Sequence, residues 1–236
     1  MKIFNPLNSI FIVFALLLSF DSAAEGFAVI AKAENMPEYS KGDRLKADSV
    51  IITRDNQRLA IRTTGGDIIV LGENSRIKLK KPTLLEQLFG VVYYFIRPRS
   101  DEQVKVSTLT ATIGIRGTNF LVSTGDADDI NSIALDQGLL EVESPDDQPF
   151  RVHKNPPLDD FAQFKQEMED GVADIKNEFD EYRKMMESEF FEYKMSVQLT
   201  SGQSLQLKGH DLVTVENSSS EKAKLAKFKE FITGIE

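Results

Sequence analysis

From residue 27 to residue 152 the apolar and polar positions come in short alternating runs. Val50-Ile51-Ile52-Thr53, Arg58-Leu59-Ala60-Ile61-Arg62-Thr63, Ile68-Ile69-Val70-Leu71 and Arg76-Ile77-Lys78-Leu79-Lys80 are examples. A period of two predicts half-buried strands. Asp55-Asn56, Gly65-Gly66-Asp67 and Gly72-Glu73-Asn74-Ser75 supply turns between them. Further strands are predicted over 91–96, 103–107, 110–115, 119–123, 132–135 and 139–143, and again over 196–199, 204–207 and 212–215. Strands of about five residues at spacings of about ten predict a sandwich, a barrel or a solenoid. No strict repeat length accompanies them.

Residues 158–194 follow another period. Phe161, Phe164, Met168, Val172, Ile175, Phe179, Tyr182, Met186, Phe190 and Tyr193 step by three or four, which predicts a helix with one apolar stripe. Gly171 lies inside it, so one long helix and two helices with a bend are both open. The segment holds 12 acids and 5 bases. Asn155-Pro156-Pro157 breaks the chain before it, and Asp159-Asp160 suit the positive end of a helix dipole. Either the stripe packs on the β-domain with the acids facing water, or it is a coiled coil or partner-docking arm. In the second reading Phe161, Phe164, Met168, Ile175, Phe179, Met186 and Phe190 are the docking stripe, and self-association through the helix is expected. Leu225, Phe228, Phe231 and Ile232 predict a short helix over 220–234. The expected organisation is therefore a mainly β domain at 25–152 and 195–217, an inserted acidic helical arm at 158–194 and a terminal helix. The last strands are too few to hold a core alone.

Near the N-terminus, Lys2 precedes an eleven-residue apolar run, Ile10 to Phe20, followed by Asp21-Ser22-Ala23-Ala24. A membrane span needs ~20 such residues, so the run is expected to be a signal-peptide core, with residues 1–24 removed after Ala24. An uncleaved anchor is the alternative. The expected address is a bacterial periplasm, with no stable membrane span after cleavage.

Composition narrows the chemistry. The chain has 28 Lys and Arg, 37 Asp and Glu, a formal charge of −9, two His and no Cys. Disulfides and thiolate chemistry are excluded, and the net negative charge argues against a general nucleic-acid binder, since phosphate contacts need clustered Lys and Arg. No nucleic acid, metal or cofactor partner is expected. There is no G-x-S-x-G, H-E-x-x-H, phosphate loop or dinucleotide fingerprint. His153 and His210 each stand alone. A hydrolase acting on wall polymers would need converging acids such as Asp43 or Asp67, and spacing does not support it. The expectation is a protein that is not an enzyme.

One stretch stands out: Thr108-Leu109-Thr110-Ala111-Thr112-Ile113-Gly114-Ile115-Arg116-Gly117-Thr118-Asn119-Phe120. It reads as a strand, a sharp corner at Arg116-Gly117, and a second strand. An Arg between apolar strands calls for a carboxylate or several carbonyls. A structural tie at the corner and a ligand-binding Arg are both open. The stretch resembles the telling segment of the FecR domain family, T-P-x-A-x-x-x-V-R-G-T-x-F, with Leu109 for the usual Pro and Ile115 for Val. Lys41-Gly42-Asp43-Arg44-Leu45 with Ile51-Ile52-Thr53 resembles the family's opening. Gly138-Leu139-Leu140-Glu141-Val142 and Ser201-Gly202-Gln203-Ser204-Leu205 are similar to later strands. By that resemblance Thr108, Ala111, Arg116, Gly117, Thr118, Phe120, Gly42 and Asp43 are the motif residues. It implies an all-β, solenoid-like domain outside the inner membrane. The family's name-giving members relay the occupancy of a TonB-dependent outer-membrane receptor to a cytoplasmic sigma factor. They use a cytoplasmic anti-sigma segment ahead of a membrane span, whereas nine residues precede the hydrophobic run here. What carries over is an envelope module that binds proteins. A regulatory subunit signalling through a separate membrane protein is the alternative.

Overall fold

The computed structural model describes residues 26–99, 103–125, 130–153 and 191–235. The expected signal peptide, most of the expected helical arm and all seven docking-stripe residues lie outside them. Among the described residues seventeen strands join into one hydrogen-bonded network, arranged as two facing sheets. The first sheet runs in the order β2 (Arg44–Leu45), β1 (Ala28–Glu34), β4 (Arg58–Thr63), β5 (Ile68–Leu71), the end of β7 (Leu84–Phe95), β10 (Asn119–Thr124), β11 (Asn131–Gln137), β16 (Gln203–Lys208), β17 (Asp211–Glu216), β13 (Phe150–His153) and β14 (Phe191–Lys194). The second runs β3 (Val50–Ile52), β6 (Arg76–Lys81), the start of β7, β8 (Val104–Ser107), β9 (Thr112–Ile115), β12 (Leu139–Glu143) and β15 (Ser196–Thr200).

β7 belongs to both sheets. Up to Phe89 it pairs with β6, and from Gly90 it pairs with β10. Gly90 makes the bend at φ +91, a conformation open to glycine and costly for other residues. A buried polar knot sits behind the bend. The Gln87 carboxamide donates to the Gly90 carbonyl at 3.0 Å and the Val122 carbonyl at 3.1 Å, and accepts from the Tyr94 hydroxyl at 2.9 Å. Burial pushes the Tyr94 phenol well above its ordinary pKa.

The alternation along each strand sorts side chains between two cores. Ile69, Leu71, Val92, Tyr94, Phe120 and Val122 face inward and meet Ile51, Ile77, Val106, Ile113 and Val142 of the second sheet. Ile68, Val70, Tyr93, Leu121 and Ala134 face the other way and meet Leu225, Phe228, Phe231 and Ile232 of the helix α1 (Ser219–Ile232). β5 is thus buried on both faces, which is why it reads as an unbroken apolar run. Ser218 starts α1 with a capping box: its hydroxyl accepts from the Glu221 amide, and the Glu221 carboxylate accepts from the Ser218 amide. Lys32 donates to the Phe231 carbonyl at 3.1 Å near the helix end, where a cation suits the dipole.

This architecture corrects the expected fold class. A solenoid stacks parallel coils, whereas here the ladders are antiparallel except β7–β8 and β13–β17. No long inserted helix occurs among the described residues, whose single helix is α1. The last four residues of the expected arm, Phe191–Lys194, form β14 and pair with β13. Their local sequence, Phe-Glu-Tyr-Lys, fits a strand as well as a helix turn. The β13 ladder and the edge-on contact of Phe191 with His153, at 4.5 Å between centroids, decide for the strand.

Candidate functional site

The motif stretch spans two turns. Between β8 and β9, the Thr108 hydroxyl accepts from the amides of Thr110 (3.3 Å) and Ala111 (3.0 Å) and donates to the Ala111 carbonyl (3.0 Å). Ala111 is fully buried beneath this turn. Between β9 and β10 the chain leaves the second sheet for the first. Gly117 turns the corner at φ +65, and a Cβ there would lie 2.8 Å from the Pro98 ring. Thr118 is buried, and its carbonyl accepts from the Ile96 amide at 3.0 Å. Phe120 then enters the core and stacks on Tyr94 at 4.9 Å.

A second crossing lies directly against the first. Gly138, at φ +103, joins β11 to β12, and a Cβ on it would lie 2.9 Å from the Gly117 carbonyl oxygen. A third joins β15 to β16: the Gly138 amide donates to the Ser201 hydroxyl at 3.0 Å, and the Gly202 amide to the Leu135 carbonyl at 3.0 Å. Gly117, Thr118, Gly138 and Ser201 therefore mark where three chain segments cross between sheets side by side.

Arg116 stands apart from this packing. It is exposed and makes no ion pair or hydrogen bond among the described residues. No carboxylate or carbonyl among the described residues ties it to the corner. The side chain instead borders a shallow recess of about 310 Å³ on the outer face of the second sheet, with Gln103, Leu139, Glu141 and Gln198. Gly114 forms the floor, and the Gln103 carboxamide lies over it.

The other motif residues sit elsewhere. Gly42 and Asp43 form the turn before β2, where the Gly42 amide donates to the Ile30 carbonyl at 2.8 Å and the Asp43 carbonyl accepts from the Ile30 amide at 2.9 Å. The Asp43 carboxylate accepts from the Ser40 amide at 2.7 Å. Asp67 is 1% exposed and binds the Arg97 amide at 3.1 Å, the Thr63 hydroxyl and the Arg99 guanidinium. Asp43 is thus tied to its own turn, and Asp67 joins its turn to the segment at Arg97 and Arg99.

The histidines are also separate. His210 pairs with Asp146 at 3.0 Å; that bond and the Gln148 amide hold the exposed Asp146 carboxyl below its ordinary pKa. His153 meets Asp211 at 3.2 Å, and the Arg151 guanidinium forks onto the same carboxylate. Burial raises the Asp211 pKa, but the bonds from Arg151 and His153 outweigh it and leave the carboxyl below its usual range. Among the described residues no three His, Asp or Glu side chains gather as a metal site, and no helix is long and apolar enough to cross a membrane.

One feature escaped the sequence reading. β3 is the outermost strand of the second sheet, and Val50 and Ile52 on it are exposed. Their alternation with the buried Ile51 and Thr53 was visible, but nothing in the sequence marked β3 as an edge.

Residues 49–138 match the family model described as FecR protein. Over this segment the chain is similar to the FecR family. The matched segment begins beside β3, the outer strand of the second sheet, and ends at Gly138, the second crossing. The R-G-T-x-F residues of the FecR segment therefore bend the chain between sheets, with Arg116 left facing water. Two solved crystal structures of a candidate anti-sigma factor from Parabacteroides distasonis align with this chain at 10% and 11% identity and TM-scores of 0.49 and 0.48. The alignments cover 74% of this chain and 62% and 63% of those chains, so this chain spans less than two thirds of their length. No curated protein matches it.

Proposed function

We propose that the protein is a non-catalytic partner-binding module of the bacterial cell envelope and that its binding serves regulation. The FecR match at 49–138 carries this reading. The arrangement of polar groups supports it: Asp43, Asp67, His153 and His210 are each committed to a separate tie and do not converge. In this reading residues 1–24 are an export signal, and the strands of 25–152 and 195–217 act as one unit with the terminal helix. The periplasm is the compartment, and a separate membrane protein receives the signal. Transcript profiling of a strain lacking the gene tests the regulatory role. A small set of altered transcripts, restored by the intact chain, is expected; an unchanged profile overturns it. Mass spectrometry of the exported protein tests the address, with Glu25 expected at the N-terminus.

A further inference from the structure

The second sheet ends at β3, which among the described residues pairs with β6 alone. The Leu79 amide donates to the Ser49 carbonyl, and the Thr53 amide to the Ser75 carbonyl, both at 2.9 Å. Bonded residues alternate along an antiparallel ladder, so Val50 and Ile52 turn their N–H and C=O groups away from β6. The two residues are 41% and 47% exposed. Across the ladder Ile52 lies opposite Arg76, and Arg76 opposite Phe89, which is 42% exposed. Neighbouring strands lie ~4.8 Å apart, so these three side chains form a row about 10 Å long. Edge strands are ordinarily kept very short or blunted by lysine, proline or a covering element. β3 is short, at three residues, but it has no lysine or proline and no cover among the described residues.

Charge says what suits this edge. Residues 44–55 and 73–81, which include β2, β3 and β6, carry seven Lys or Arg and three acids, in a chain whose formal charge is −9. Asp48 engages Lys78 at 3.1 Å, and Glu86 engages Lys80 at 3.2 Å. The side chains of Lys46, Arg54 and Arg76 are exposed and pair with no acid among the described residues.

We propose that β3 is the docking edge of this module and that its occupant is an extended acidic segment of another protein, added as one more strand. Backbone bonds to Val50 and Ile52 supply the attachment; apolar side chains of the segment cover Ile52 and Phe89, and its carboxylates meet Arg54 and Arg76. The proposal rests on the partner-binding reading above.

In-cell photo-crosslinking tests it, with a benzophenone amino acid placed at Ile52 and, as the contrast, at Gln198 on the opposite edge strand β15. The Ile52 position is expected to give a discrete product whose partner peptide, sequenced by mass spectrometry, is acidic with alternate apolar residues. Val50→Pro removes an outward N–H that makes no ladder bond, a substitution an edge strand tolerates. It should cut the yield at least tenfold without lowering Tm. Arg54→Glu with Arg76→Glu, two surface changes, should do the same if Val50→Pro disturbs folding. Undiminished yield in the charge-reversed variant overturns the proposal. So does a crosslinked peptide from this same chain, from a second copy or from a lipid. A product from Gln198 but none from Ile52 overturns the β3 assignment and leaves the partner-binding reading standing; no product from either position overturns both.

Discussion

Gly90→Ala tests the joint on which the two-sheet arrangement turns. Gly90 sits at φ +91, where an L-residue costs roughly 1–2 kcal/mol. Its Cβ would lie 2.5 Å from the Asn74 carbonyl oxygen and 2.5 Å from the Ser75 Cα. Both are backbone atoms of the β5–β6 turn, so relief requires moving that turn away from β7. Overpacking of this kind costs about 1–3 kcal/mol, giving about 2–5 kcal/mol together. For a domain of this size about 1 kcal/mol lowers Tm by 2–4 °C, so a drop of about 10 °C is expected in thermal unfolding followed by circular dichroism. Adding Ser75→Ala should not restore it, because the clashing atoms remain. A Tm within about 2 °C of the parent would refute the reasoning, since the bend would then accept a side chain at no cost.

Three further outcomes follow from the same contacts. Arg116→Ala should change stability by no more than about 0.5 kcal/mol in chemical denaturation, because the side chain is exposed and unpaired among the described residues; a loss of about 3 kcal/mol would mean a buried tie. Phe228→Ala should cost about 3–5 kcal/mol, since the ring stacks on Tyr93 at 5.9 Å beneath α1, whereas Ser218→Ala should cost only about 1 kcal/mol through the lost cap. Asp211 has a folded-state pKa below its unfolded value, so its contribution is present above the unfolded carboxyl pKa of about 3.9 and is lost as pH falls through the lower folded value. Tm measured from pH 6 downward should therefore fall more steeply below about pH 4 in the parent than in Asp211→Asn.

Most strands were legible in the sequence because one face meets the core and the other meets water. Val50–Ile52, Arg58–Thr63 and Leu139–Glu143 were read at the bounds that the structure shows or within one residue of them. The motif corner was legible too, since glycine between β-branched runs marks a bend. β1 (Ala28–Glu34) was missed because its burial pattern is broken by a register shift between Ile30 and Lys32. The first half of β7 was missed because Leu84–Phe89 looks irregular until its own bulge is known. β14 was misread because Phe190 and Tyr193 step by three in the sequence, as a helical stripe does, while Phe191 and Tyr193 alternate as a strand does.

Local sequence thus determined where most of the strands lie, where glycine lets the chain turn, and that the segment 49–138 is similar to the FecR family. Which sheet each strand joins, and therefore which strand is left at an edge, came only from long-range pairing. An edge is defined by the neighbour a strand lacks, and no run of residues encodes a missing neighbour. The same holds for Arg116: its type was plain in the sequence, but whether it faced a buried partner or water depended on how three separate crossings stacked beside it.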